Sequence, residues 1–161
     1  MHLLATTSGV IDGSAEAIDL KQTPADLVVL SAADSELASL ARAHDAAPLP
    51  LRLASLLQLQ HHLSADIYLE KTAAHARLIV LRLLGGDAYW SYGLEQLEAL
   101  ARERNIMLAV LPGDSQPNPE LMARSTLAPH HCERLRQYLA RGGMQNATGF
   151  LAYCRHLLDG T

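Results

Sequence analysis

The chain has 161 residues, 49% of them apolar, and a formal charge of −4. That length suffices for one compact domain with a real hydrophobic core. The scattered Lys and Arg form no basic stripe with interleaved aromatics, which argues against nucleic acid as a partner, and no apolar run is long enough to span a bilayer.

Apolar strands alternate with amphipathic helices along the chain. His2 to Thr7 is a short apolar run that stops at a Ser-Gly turn. It lacks the basic start and sustained apolar stretch of a secretory signal. Asp26 to Ser31 contains Leu27-Val28-Val29-Leu30, a β-branched run of strand length. Asp34 and Ser35 open a helix whose apolar face is Leu37, Leu40 and Ala41. Pro48 and Pro50 mark a connector, because proline blocks a helix and cannot donate to a ladder. Leu51 to Ser55 reads as a third strand, and Leu56 to Leu59 as its end or the start of a helix. Ser64 is a good N-cap for a helix to about Ala76, with Ile67, Tyr68 and Ala74 inward and Asp66, Glu70, Lys71 and Arg77 in water.

Leu78 to Leu83 is the strongest strand, interrupted only by Arg82 and stopped by Gly85-Gly86. Ser91 to Arg104 is the strongest helix, with Leu94, Leu97, Leu100 and Ala101 at helical spacing. Met107 to Leu111 is the fifth strand, closed by Pro112-Gly113-Asp114. Helices follow over Glu120 to Ser125, Pro129 to Ala140 and Met144 to Leu158, the last two broken apart at Gly142-Gly143. No domain boundary or repeat interrupts the pattern, so residues 1–161 are taken as a single α/β domain with a helical C-terminal pair over 129–158. The predicted fold is a flavodoxin-like, doubly wound sheet of about five parallel strands, helices on both faces and Leu78 to Leu83 in the interior. Cys132 and Cys154 both fall in helices and form no CxxC, which suits reduced thiols in a cytoplasmic protein.

Ligands of open α/β sheets bind beyond the carboxyl ends of the strands. That rule selects the loops Thr6 to Gly9, Ser31 to Asp34, Leu84 to Asp87 and Pro112 to Ser115. Gly85-Gly86 is either a turn needing positive φ or a place where backbone approaches an anion. Tyr89-Trp90-Ser91-Tyr92 holds the only tryptophan. These rings either plug the core or an interface, or stack on a flat macrocycle. Neither GxGxxG nor a Walker motif is present, so ATP or dinucleotide binding by this chain is not expected. His61-His62 and His130-His131-Cys132 are adjacent residues whose side chains diverge, a poor geometry for metal ligands, so no metal site is assigned. No loop gathers a nucleophile with a base, and the catalytic residues stay unassigned.

Several stretches together resemble the start of the cobaltochelatase large subunit. They are Pro24 to Asp34, Leu51 to Leu59, Ser64 to Tyr68, Leu81-Arg82-Leu83-Leu84-Gly85-Gly86, Tyr89-Trp90-Ser91-Tyr92-Gly93, and Leu111-Pro112-Gly113-Asp114. The resemblance covers nearly the whole chain in order. The related magnesium chelatase large subunit is the next candidate family, and a stand-alone flavodoxin-like ligand-binding domain is the reading without a family.

The resemblance implies the N-terminal piece of a much longer subunit of an ATP-dependent ligase that forms nitrogen–metal bonds. That enzyme inserts Co²⁺ into hydrogenobyrinic acid a,c-diamide, a tetrapyrrole of cobalamin (vitamin B12) biosynthesis. It implies as partners the rest of the large subunit, two AAA+ subunits and the corrinoid, with ATP, Mg²⁺ and Co²⁺ used by the full complex and no cofactor on this piece. The piece itself would be a lid, docking or cleft-wall domain without turnover of its own. Any contact with the corrinoid is expected through Gly85, Gly86, Tyr89, Trp90, Tyr92, Gly113 and Asp114, which follow the fourth and fifth strands.

Overall fold

The computed structural model describes residues 4–5, 16–114 and 116–160. Five parallel strands form one sheet: β1 (Leu4–Ala5), β2 (Leu27–Ser31), β3 (Leu51–Ser55), β4 (Leu78–Leu83) and β5 (Met107–Pro112), in the order β1-β3-β2-β4-β5. The helices are α1 (Asp34–Ala46), α2 (His62–Lys71), α3 (Ser91–Arg104), α4 (Pro119–Met122), α5 (Pro129–Arg141) and α6 (Met144–Asp159). Short 3₁₀ turns occupy Leu56–Gln58, Ala73–His75 and Asp87–Trp90.

The expected doubly wound α/β sheet is present, with one difference in strand order. From β2 the chain moves outward to β3 and then returns past β2 to β4, so the order reverses between β2 and β4. In a flavodoxin-like sheet the first strand borders that reversal. Here β2 holds that place, and β1 is added on the far side of β3. β4 pairs parallel with both β2 and β5, in the interior as predicted. The first of the four selected loops, Thr6 to Gly9, lies outside the described residues.

Both faces of the sheet are covered, which is why the strands are nearly continuous apolar runs. Val28, Leu30, Ile79, Leu81, Leu108 and Val110 point into one layer with α2 and α3. Leu27, Val29, Leu78, Val80, Ala109 and Leu111 point into the other, with α1, α5 and α6. The predicted C-terminal pair thus packs on the sheet, α5 against β5 and α6 against α1. α5 and α6 meet closely at Gly149, where a Cβ would stand 2.6 Å from the Tyr138 ring.

Helix ends follow local chemistry. Asn105 ends α3 in the left-handed conformation at φ 55°, and its N–H bonds Ala101 O. α2 departs from its prediction. It begins at His62, with His61 as the cap whose ring nitrogen accepts from the Leu63 N–H at 3.1 Å. Ser64 is instead buried, and its hydroxyl accepts the Ile18 N–H at 2.7 Å. The buried face of α2 is Ala65, Tyr68 and Leu69, while Ile67 is only half-buried. The helix stops at Lys71 because Thr72 turns inward to donate to Gln22 O at 2.6 Å.

That contact belongs to a buried polar set that fixes the segment before β2. Tyr68 donates to Gln22 Oε1 at 2.7 Å, Gln22 Nε2 donates to Leu53 O at 2.8 Å, and Arg52 Nε donates to Thr23 O at 2.8 Å. Hydrogen bonding of this kind offsets the cost of burying the polar groups.

Phe150 is fully buried between α6 and the sheet. Phe150→Ala is expected to lower unfolding free energy by about 3–5 kcal/mol in urea titrations. Leu57→Ala, at a side chain 42% exposed, should stay within about 0.5 kcal/mol of the parent. Equal losses at the two positions would contradict the burial described.

Candidate functional site

The carboxyl ends of β2, β4 and β5 form the rim where the strand order reverses. Gly85 and Gly86 leave β4 with φ of 85° and 79°. A Cβ at either would meet nothing within 4 Å, so both are glycine for backbone conformation, and both are open to a visitor. Gly113 leaves β5, and its N–H donates to Leu83 O at 2.6 Å. A Cβ there would lie 2.4 Å from the Leu84 side chain and 2.9 Å from Leu83 O, so this glycine serves close packing of the two loops. Asp114 beyond it is exposed, with Oδ1 accepting the Gln116 N–H at 3.2 Å.

The aromatic group takes three different positions. Trp90 is 4% exposed, and its indole N–H donates to Leu59 O at 2.8 Å. Its ring lies on Gly93, where a Cβ would come within 2.1 Å of it. Trp90 therefore forms the wall behind the rim. Tyr92 is half-buried, donates to Asp66 Oδ1 at 2.7 Å and stacks on His62 with ring centroids 3.9 Å apart. Its hydrogen bond to that carboxylate holds the phenol pKa above its ordinary value. Tyr89 is also half-buried, and burial raises its phenol. Tyr89, Trp90 and Tyr92 line a shallow recess of about 200 Å³ with Gln60 and His62.

On the other side of the sheet the rim opens into a larger cleft of about 350 Å³. Its walls are Ala33 with the first turns of α1 to Leu40 and the α5–α6 turn, and at its base are Arg82 and Glu36. Arg82 points from β4 into this layer, where its guanidinium pairs with the Glu36 carboxylate. The two side chains are only 11% and 10% exposed. Arg82 also donates to Gly113 O at 3.0 Å, to Leu139 O at 3.3 Å and, at 3.4 Å, to Pro112 O. Ser31, at the end of β2, donates to Glu36 Oε2 at 2.8 Å and accepts the Ala33 N–H at 3.1 Å. Desolvation lowers the Arg82 pKa, with the like charge of Arg136 adding to it and Asp114 opposing.

The structure thus places all seven residues proposed from the sequence at one rim. Arg82, Glu36 and Ser31 were not among them. The available signal was the single charge inside the apolar run Leu78 to Leu83. Nothing in the local spacing pairs it with Glu36, which lies 46 residues away. The His130 and His131 rings lie tilted against each other with centroids 3.9 Å apart, and His131 Nδ1 bonds the Tyr153 hydroxyl at 2.5 Å. Among the described residues no three His, Cys, Asp or Glu side chains converge as metal ligands. No helix among them is long and apolar enough to cross a membrane.

No protein-family model matches the chain. Its sequence is 50% identical, over 99% of its length, to the aerobic cobaltochelatase subunit CobN of a Sinorhizobium species. It is 49% identical, over 93% of its length, to the subunit of the same name from Pseudomonas aeruginosa. The chain spans only 13% and 12% of those two relatives. Among solved structures, the catalytic subunit of cobaltochelatase from Mycobacterium tuberculosis is similar with a TM-score of 0.69 at 26% identity, over 85% of this chain and 11% of that one. The resemblance read from the sequence is borne out.

Two outcomes follow from the rim geometry. Arg82→Met strands the Glu36 carboxylate in the interior and should destabilise the fold by about 3–5 kcal/mol. Glu36→Gln, which keeps an oxygen acceptor, should cost less, and a double-mutant cycle should return a coupling of about 0.5–3 kcal/mol. A coupling of zero would mean that the two side chains act independently. Gly93→Ala should destabilise the fold by driving Trp90 from its seat, read as a red shift in tryptophan fluorescence. An unchanged spectrum and midpoint would remove Gly93 from that role.

Proposed function

We propose that this chain, homologous over nearly its whole length to the aerobic cobaltochelatase subunit, is the N-terminal α/β domain of such a large subunit. The whole subunit would act in the cytoplasm with two AAA+ partners, whose ATP and Mg²⁺ chemistry drives insertion of Co²⁺ into hydrogenobyrinic acid a,c-diamide. One observation carries this reading: about half of the residues are identical to the named relatives across 99% and 93% of the chain. The missing Walker motif is consistent with nucleotide being handled by the partner subunits.

Within that enzyme the domain is a lid, docking or cleft-wall element. Insertion requires a base for the pyrrole N–H protons and ligands that hand over the metal. Neither set is gathered among the described residues, so no chemical step is assigned to this chain's side chains. The carboxyl rim is the surface offered to the rest of the assembly. Among the described residues the exposed large apolar side chains are Leu57, Leu63, Leu84 and Met144, at 41–52% exposure. They follow β3, open α2, follow β4 and open α6, which sets them all at that end of the sheet. Apolar surface of this kind is ordinarily covered in an assembly. Where the corrinoid reaches the domain, the accessible contacts are Gly85, Asp114 and the half-buried Gly86, Tyr89, Tyr92 and Gly113, with Trp90 supporting them from behind.

The test compares the full-length subunit with one lacking residues 1–161 in a coupled ATP and cobalt-insertion assay with both partners. Loss of insertion on deletion is expected, and unchanged insertion would refute a role for the domain. The isolated chain should neither hydrolyse ATP nor insert cobalt; turnover above a buffer blank that survives repurification would overturn that expectation.

A further inference from the structure

The cleft at Arg82 and Glu36 has no part in the reading above, and its construction calls for a separate explanation. The two charges sit at the reversal point of the sheet, where open α/β folds take their ligands. A buried ion pair is seldom more stabilising than apolar residues of the same size. An arginine in a strand otherwise buried among aliphatic side chains is therefore a break in the local rule, and such breaks concentrate at functional positions. This one lies at the base of a cleft of about 350 Å³ that remains open.

The chemistry of the cleft selects its visitor. Arg82 has five N–H donors. Four are directed to Glu36, Leu139 O, Gly113 O and Pro112 O, the last a long contact, which leaves one on Nη2. Glu36 accepts from Arg82 and Ser31 and retains lone pairs on both oxygens. Ser35 and Ser39 on α1 line the same space, and no hydrogen bond joins either hydroxyl to another described residue. The walls between are apolar: Ala33, Leu40, Leu139 and Ala147. The Arg82 charge is already matched by Glu36, and nearby Arg136 is paired with Glu133 at 2.6 Å. A second carboxylate would meet Glu36 without an uncommitted cation. An ammonium ion would meet Arg82. A neutral planar group that both donates and accepts meets neither objection.

We propose that this cleft is a binding site for a primary carboxamide on a short aliphatic stem. Its carbonyl oxygen takes the remaining Arg82 N–H or a serine hydroxyl, its NH₂ donates to Glu36, and its stem lies on Leu40, Leu139 and Ala147. A side group of a tetrapyrrole and an asparagine or glutamine of another polypeptide segment share this chemistry.

The test uses three small molecules of one shape and different charge: propionamide, propionate and propylammonium. Each is titrated into the ¹⁵N-labelled 161-residue protein while the amide signals of Ser39, Gly142 and Gly143 are followed. Saturable shifts with propionamide at tens of millimolar, at least fivefold tighter than with either ion, are expected. Ser39→Leu, which fills the cleft from a half-buried helical position, should abolish them with the rest of the spectrum intact. The smaller Ser35→Ala/Ser39→Ala change should weaken them if the bulky variant does not fold. No saturable shift with propionamide, or equal response to propionate, overturns the proposal. The full-length subunit then separates the sources. A preference for the tetrapyrrole a,c-diamide over its diacid that Ser39→Leu reduces tenfold assigns the amide to the tetrapyrrole. A preference untouched by Ser39→Leu, beside fragment binding in the short chain, assigns it to a polypeptide side chain. A full-length subunit that binds neither tetrapyrrole refutes the function proposed above and leaves the fragment result standing.

Discussion

The rim of this domain depends on one buried cation. Arg82 leaves the middle of the sheet and holds three separate pieces of chain: Glu36 on α1, Pro112 and Gly113 at the end of β5, and Leu139 in the last turn of α5. Through Glu36 it also reaches Ser31 at the end of β2. The backbone oxygens it meets are those that need a donor. Carbonyls in a helix's last turn have no intrahelical partner, and a positive charge there is favoured by the helix dipole. A neutral side chain at this position would pack, but it would leave α1, α5 and the β5 loop joined by apolar contact alone. The arginine converts that contact into a fixed angle between the elements, and the fixed angle keeps the cleft open.

The opposite layer solves the same problem without charge. There the rim is closed by Trp90, whose indole is pinned at one edge by Leu59 O and fits only because residue 93 is glycine. Tyr92 and His62 stack outside it, tied to α2 through Asp66. One side of the sheet end is thus plugged by a large ring and leaves only a shallow recess. The other is braced by an ion pair and leaves a cleft. The difference follows from which face each residue occupies: Arg82 alternates with Leu81 and Leu83 along β4, so the polar brace and the aromatic plug cannot share a layer.

Strands were legible because burial on both faces leaves an unambiguous apolar run, as at Leu78 to Leu83, and α3 because Leu94, Leu97, Leu100 and Ala101 recur at helical spacing. α2 was misplaced because its end is decided at long range. Thr72 is drawn inward by Gln22, a residue 50 positions earlier in an irregular segment, and Ser64 was taken for a cap when a distant backbone N–H claims its hydroxyl. Proximity at the rim was legible from topology alone, since residues after neighbouring parallel strands must share one end of the sheet. The burial of Trp90 was legible in part, because a tryptophan beyond a strand's carboxyl end reads first as a plug of core or interface and second as a stacking surface, and the helix geometry decides between them. The Arg82–Glu36 pair could not be read from the sequence: Arg82 stands out as the one charge in an apolar strand, but Glu36, 46 residues away on a helix, resembles an ordinary solvated charge.

A surface can discriminate among ligands without holding a group that reacts. Selectivity requires polar atoms held at fixed positions in a place that water leaves on binding. Arg82 and Glu36 meet the first condition because five elements constrain them, and their burial supplies much of the second in advance. A charge pair already neutral discriminates against ions of either sign, so its preference is for groups that are polar and uncharged. That preference is set by the sheet and its helices rather than by a loop. It is therefore carried by a part of the rim distinct from the Gly85-Gly86 turn, which does not line the cleft.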